Sequence, residues 1–146
     1  MNLTLIAIAW ALVALTVAIH TIGLVVLLAR FAKVRSSPPT GFWRVTGMLI
    51  RIVWALIFVH AIEISVWALF YLAAGCFENG PSAFYFSGVT YTTLGYGDLL
   101  LPVRWRLLAP IEALSGILMA GLSTGFFFVV VSTILRIESR HKTESS

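Results

Sequence analysis

The run Thr92, Thr93, Leu94, Gly95, Tyr96, Gly97 and Asp98 carries the most pointed chemistry of this chain. A cation stripped of its water needs a shell of hard oxygens, and backbone carbonyls turned toward one axis supply it without net charge. Aiming successive carbonyls the same way calls for ordinary and left-handed dihedrals in alternation, which glycine adopts without steric penalty. Gly95 and Gly97 provide that alternation, and Thr93 adds a hydroxyl oxygen below the carbonyls. One strand thus offers a ladder from Thr93 through Leu94, Gly95 and Tyr96. A ring of four carbonyls requires four copies of a stretch that occurs once here, so the reading predicts a homotetramer about a central axis.

Thr-Leu-Gly-Tyr-Gly-Asp resembles the selectivity-filter signature of potassium channels, usually TVGYG, with Leu94 standing where valine is commonest. In a soluble protein Gly-Tyr-Gly-Asp equally suits a tight turn; the apolar helices on either side favour the ion reading. The similarity spans roughly residues 45 to 137, the outer helix, pore helix, filter and inner helix of a minimal pore. The three-span layout is similar to that of small prokaryotic channels whose pore shares a broad family with two-pore-domain channels. The resemblance implies K+ held at Thr93, Leu94, Gly95 and Tyr96, with Gly97 completing the filter and Thr92 supporting it. It also implies an aromatic cuff of Tyr85 and Phe86 against Tyr96, and Asp98 behind the outer filter with Tyr85 as its partner. Some members place a carboxylate in the pore helix where this chain has Val89, so Glu112 or Glu63 becomes the candidate substitute from a flanking helix. Gly116 matches a gating-hinge glycine. Interfacial anchoring is the alternative for Tyr85 and Phe86, and close helix packing is the alternative for Gly116 and for the GxxxG pair Gly121 and Gly125.

The elements that position these residues are membrane helices. Of 146 residues, 60% are hydrophobic and 11% charged, too little polar surface to cover a soluble domain. The net charge of +4 does not point to nucleic acid, because the basic residues sit at helix ends. Residues 3 to 29 form an apolar run of about 40 Å as a helix, a retained first span rather than a signal peptide, since no basic region precedes it. Ser36, Ser37, Pro38 and Pro39 stop that helix within a polar connection from Arg30 to Arg44. Residues 52 to 74 form the second span. Ser82 to Tyr91, with Asn79 or Ser82 as cap, is too short to cross and reads as a re-entrant pore helix. Residues 107 to 135 form the inner helix, with Phe126, Phe127 and Phe128 as a constriction or a lipid-facing cluster.

Arg30, Lys33, Arg35, Arg44 and Arg51 lie at one end, joined by Arg136, Arg140 and Lys142 of the tail, whereas Arg104 and Arg106 lie at the other. The positive-inside rule then puts the C-terminus in the cytoplasm and the N-terminus outside. Glu63 is costly in a membrane helix. It is expected to hydrogen-bond the pore helix or filter support, or else to be a paired packing residue, and His60 shares its helical face. His20 reads as a hydrogen-bonded packing residue rather than a ligand, since no second ligand type lies within a helical turn. A single cysteine, Cys76, excludes an internal disulfide framework and a zinc cluster. No serine or cysteine has a histidine and carboxylate arranged near it, so catalysis is not expected.

These expectations combine into an all-α membrane protein, with three transmembrane helices plus a re-entrant pore helix and filter per subunit. Residues 1–44 hold the first helix and linker, 45–137 the pore domain and 138–146 a short cytoplasmic tail. The expected protein is a homotetrameric, passive, potassium-selective channel of a prokaryotic plasma membrane. It has no voltage sensor, ligand-binding domain or cofactor beyond the permeant K+, and its partners are three identical subunits and lipid. The rivals are a weakly selective cation channel and a non-conducting subunit acting through helix packing.

Overall fold

A computed structural model describes residues 3–35 and 41–144, and the described residues form helices and connecting turns without a strand. Helix α1 spans Leu3–Arg35, α2 Phe42–Ala73, α3 Gly80–Tyr91 and α4 Leu108–Glu144, with a short 3-10 turn at Val103–Trp105 before α4. Three of these helices are long and apolar enough to cross a membrane. At 1.5 Å per residue α3 reaches only about 18 Å, well short of a bilayer core.

Several boundaries differ from the sequence reading, and α3 starts at Gly80, two residues ahead of Ser82. Helix α2 begins at Phe42, ten residues ahead of the expected start, because Arg44 and Arg51 interrupt an apolar run without interrupting a helix. Helix α4 likewise continues to Glu144 instead of ending before the tail. The expected break at Ser36, Ser37, Pro38 and Pro39 lies outside the described residues, and α1 runs on to Arg35 before it.

Helix α3 lies against both α2 and α4, and α1 packs on α2 and α4 of its own chain. The α1–α2 contact is close at Gly23, where a Cβ would stand 2.7 Å from Val59 Cγ2. It is also tied by a polar relay, Trp67 Nε1 donating to Thr16 Oγ1 at 3.0 Å and Thr16 to the Leu12 carbonyl at 2.9 Å. One apolar cluster, centred on Trp67, Tyr71, Phe86 and Leu108, joins α1, α2, α3 and α4. A second gathers Phe31, Ile52, Leu56 and Val130 at the other end of the bundle. Large apolar side chains such as Trp10, Trp54, Phe58 and Phe128 remain exposed on the single chain, as expected of helices that meet lipid or neighbouring subunits.

Asn79 caps α3, its side chain accepting from the Ser82 amide at 2.9 Å, with Pro81 in the first turn where a missing N–H costs nothing. Both α2 and α3 end in the same way. At α2, Gly75 in the left-handed region (φ 66°) lets Cys76 N reach the Tyr71 carbonyl at 2.9 Å and Gly75 N reach Leu72 at 3.1 Å. At α3, Thr93 (φ 63°) takes the glycine position of that motif, with Leu94 N on the Val89 carbonyl at 3.0 Å and Thr93 N on Thr90 at 2.9 Å.

Candidate functional site

The turn that ends α3 opens directly into Leu94–Asp98. Thr93, Gly95 and Gly97 have φ of 63°, 58° and 76°, so left-handed residues alternate with ordinary ones along the segment. Glycine made two of these positions readable. Thr93 was not, because a β-branched residue avoids this region unless surrounding bonds impose it. Here the closing turn of α3 does so. Among the described residues no hydrogen bond is directed at the carbonyls of Thr93 through Asp98, and every residue from Thr92 to Asp98 is exposed on the single chain. The segment therefore presents a row of unengaged carbonyl oxygens.

The side chains around it are anchored. Tyr85 donates to Asp98 Oδ2 at 2.7 Å, and the other carboxylate oxygen receives the Leu99 amide at 3.1 Å. That bond is the main reason the Tyr85 hydroxyl is held above its ordinary pKa of 10.0, with desolvation adding to it. Thr92 Oγ1 donates back to the Gly88 carbonyl at 2.6 Å. Phe86 is buried against Tyr71 and Phe77 of its own chain, with ring centroids 5.4 and 5.1 Å away, and lines a cavity shared with Gly95, Gly97 and Asp98. Tyr85 and Phe86, adjacent on a helix, point about 100° apart, so one reaches Asp98 while the other turns inward.

Two buried carboxylates, one from α4 and one from α2, hold α3 at Ser87 and Tyr91, one turn apart on the same face. Glu112 of α4 accepts from Tyr71 at 2.8 Å and from Ser87 of α3 at 2.5 Å, with the Ile64 carbonyl 2.9 Å from the same serine oxygen. Glu63 of α2 accepts from the hydroxyl of Tyr91, the last residue of α3. Its oxygens also meet His20 Nδ1 at 2.9 Å and His60 Nδ1 at 3.1 Å. His60 continues the chain, its Nε2 3.1 Å from Ser123 Oγ of α4, so a serine does have a histidine and a carboxylate arranged near it, contrary to the sequence expectation. Helical spacing linked His60 to Glu63 but not to His20, which arrives from another helix 43 positions away in sequence. Each carboxylate is fully buried and receives several donors, the condition under which a buried charge is tolerated.

Gly116 meets α3 at closest range. A Cβ there would lie 2.0 Å from the Tyr91 carbonyl oxygen. A Cβ added at Gly121 or Gly125 would meet nothing within 4 Å beyond its own helix's backbone.

The comparisons agree with this architecture. Neither curated proteins nor solved structures gave a match. Residues 56–133 match a family model described as ion channel, a region that takes in most of α2, all of α3, the Thr92–Asp98 segment and most of α4. The match covers more than half of the chain, three of its helices are long and apolar enough to span, and the chain is an integral membrane protein belonging to this ion channel family.

Proposed function

We propose that four copies of this chain surround one axis and conduct K+ passively. The carbonyls of Thr93, Leu94, Gly95 and Tyr96, with the Thr93 hydroxyl, take the place of the ion's water. Gly97 completes the filter and residues 45–137 form the pore domain. The observation that carries this reading is the alternation of left-handed backbone at Thr93, Gly95 and Gly97 in a segment whose carbonyls receive no hydrogen bond among the described residues.

Further features agree with it. Helix α3 ends at this segment, and the partial negative charge of a helix C-terminus favours a cation there. Leu94 and Tyr96 are 59% and 67% exposed on the single chain, leaving their side chains for neighbouring subunits. Basic residues concentrate around the first connection and toward the C-terminus, which by the positive-inside rule supports a cytoplasmic position for both, with the N-terminus outside and the filter mouth at the outer face.

The test is the reversal potential of purified protein in planar bilayers, with K+ on one side and Na+ on the other. Reversal near the K+ equilibrium value, lost on Gly95→Ala, is the expected result. Reversal near zero with robust current would replace selectivity by general cation conduction. A monomer or dimer in mild detergent would replace the pore by a packing subunit.

A further inference from the structure

We propose that His20, His60 and Glu63 form a binding site for a divalent transition-metal cation of the zinc class, seated where all four helices meet at the end of α3. One ligand atom from each residue lies within 4.8 Å of the others, and the two Nδ1 atoms already sit 2.9 and 3.1 Å from separate oxygens of Glu63. Tetrahedral zinc sets its ligand atoms about 3.4 Å apart, so the widest spacing closes by at most about 1.4 Å, within the reach of side-chain rotation. Two imidazoles and one carboxylate are the donor set that borderline divalent cations prefer over K+, Mg2+ or Ca2+. Counting cysteines did not reveal this set, because it contains none.

A second observation points the same way. His20 Nε2 is a buried atom with no hydrogen-bond partner among the described residues. A divalent cation takes a lone pair from each imidazole, that of His20 through either ring nitrogen, beside the buried Glu63 carboxylate. His60 is oriented for this from outside the site, since Ser123 holds its Nε2 while Nδ1 faces Glu63 and Tyr91. The Tyr91 hydroxyl, 3.1 Å from His60 Nδ1, stands ready as a fourth ligand or as the partner of a bound water.

The site also has a door. The His60 side chain is 22% exposed and lines a cavity of about 480 Å³ shared with Tyr91, Thr92, Thr93 and Gly116. A cation bound here clamps α1 and α2 to the end of α3, beside the start of the candidate filter. Its occupancy therefore regulates how firmly that end is held.

The experiment is calorimetric titration of Zn2+ into the tag-free, detergent-solubilised full chain, with Co2+ visible absorption as a second readout. Expected are one Zn2+ per subunit and tetrahedral Co2+ bands. Ser123→Ala, a small change, should weaken binding about 10-fold, and His20→Gln or His60→Gln at least ~100-fold, since losing an outer partner alone costs 10- to 100-fold. Size-exclusion profiles matching the wild type show that the variants remain folded. No Zn2+ binding by the wild-type chain overturns the proposal, as does an affinity that survives both histidine substitutions. Neither readout involves current, so the site and the filter reading fail separately.

Discussion

Gly116 of α4 lies against the Tyr91 carbonyl so closely that an added Cβ would stand 2.0 Å from the oxygen and 2.9 Å from the carbonyl carbon. The obstacle is backbone at the end of α3, which cannot swing aside as a side chain does. Gly116→Ala must push α4 away from α3, or shift the end of α3 from which the Thr92–Asp98 segment departs. We expect a loss of about 1–3 kcal/mol, the usual range for overpacking. A lowered thermal midpoint in detergent and loss of K+ selectivity would report it. If Gly116 serves only as a bending point, alanine will leave the midpoint unchanged and slow opening instead.

Gly121 and Gly125 make the opposite prediction. Both are exposed, and a Cβ added at either would meet nothing within 4 Å beyond its own helix's backbone, yet each costs an interior helix about 1 kcal/mol relative to alanine. Their use is expected at a contact between subunits or with lipid. Leucine at either position should leave helix content by circular dichroism unchanged and lower the temperature at which the oligomer dissociates.

Thr93 occupies the position at the end of α3 that Gly75 occupies at the end of α2. A β-branched residue held left-handed costs about 1–2 kcal/mol, so the side chain at this position has a use that glycine lacks. Thr93→Gly should therefore fold at least as stably as wild type while losing affinity for K+, read by calorimetry. Thr93→Ala should lose the same hydroxyl without relieving the backbone. Equal K+ affinity in all three chains would show that the hydroxyl takes no part in ion binding.

That contrast marks how far the sequence could be read. Apolar run length was enough to find three long helices and a short fourth, and capping chemistry narrowed the start of α3 to Asn79 or Ser82, of which the structure uses Asn79. Gly95 and Gly97 announced the left-handed positions because glycine is the residue that takes them cheaply. Thr93 did not, since its dihedral is imposed by hydrogen bonds at a helix end rather than preferred by its side chain. His20 with Glu63, Tyr71 with Glu112 and Gly23 with Val59 are contacts between helices. Helical periodicity relates residues within one helix and carries no information about such pairs. Phe86 was assigned by its place in a motif, whereas the direction of its side chain is set by helical rotation toward Tyr71.

The Tyr85–Asp98 bond joins an exposed hydroxyl to the end of the candidate filter. Since Tyr85 is held above its ordinary pKa of 10.0, the contribution of its protonated form is complete below that value and is lost only as pH rises through the raised one. The bond should persist through neutral and mildly alkaline solution. Tyr85→Phe and Asp98→Asn are expected to change current decay during sustained recording in the same direction. The tyrosine's contribution to that decay should be flat between about pH 7 and pH 9. A change in that contribution within this window would mean that some other titrating group governs the decay.

Glu112 is the stricter test of what holds α3 in place. Its carboxylate is fully buried and accepts from Tyr71 on α2 and Ser87 on α3, so one side chain of α4 ties three helices. Glu112→Ala leaves the buried Tyr71 hydroxyl without its acceptor, worth about 1–3 kcal/mol when unsatisfied, leaves Ser87 with the Ile64 carbonyl alone, and opens space beside them. Glu112→Gln keeps one acceptor oxygen and the shape, and should lose less. Ser87→Ala removes one donor while leaving Tyr71 bound, and should be the mildest of the three. Thermal midpoints in detergent should therefore fall in the order alanine at Glu112, glutamine at Glu112, alanine at Ser87, the first being the lowest. Once Glu112 is alanine, a further Ser87→Ala should cost little, because that hydroxyl has already lost its carboxylate partner. Full additivity of the two substitutions would mean that Ser87 acts through its contact with the Ile64 carbonyl and that Glu112 supports α2 alone.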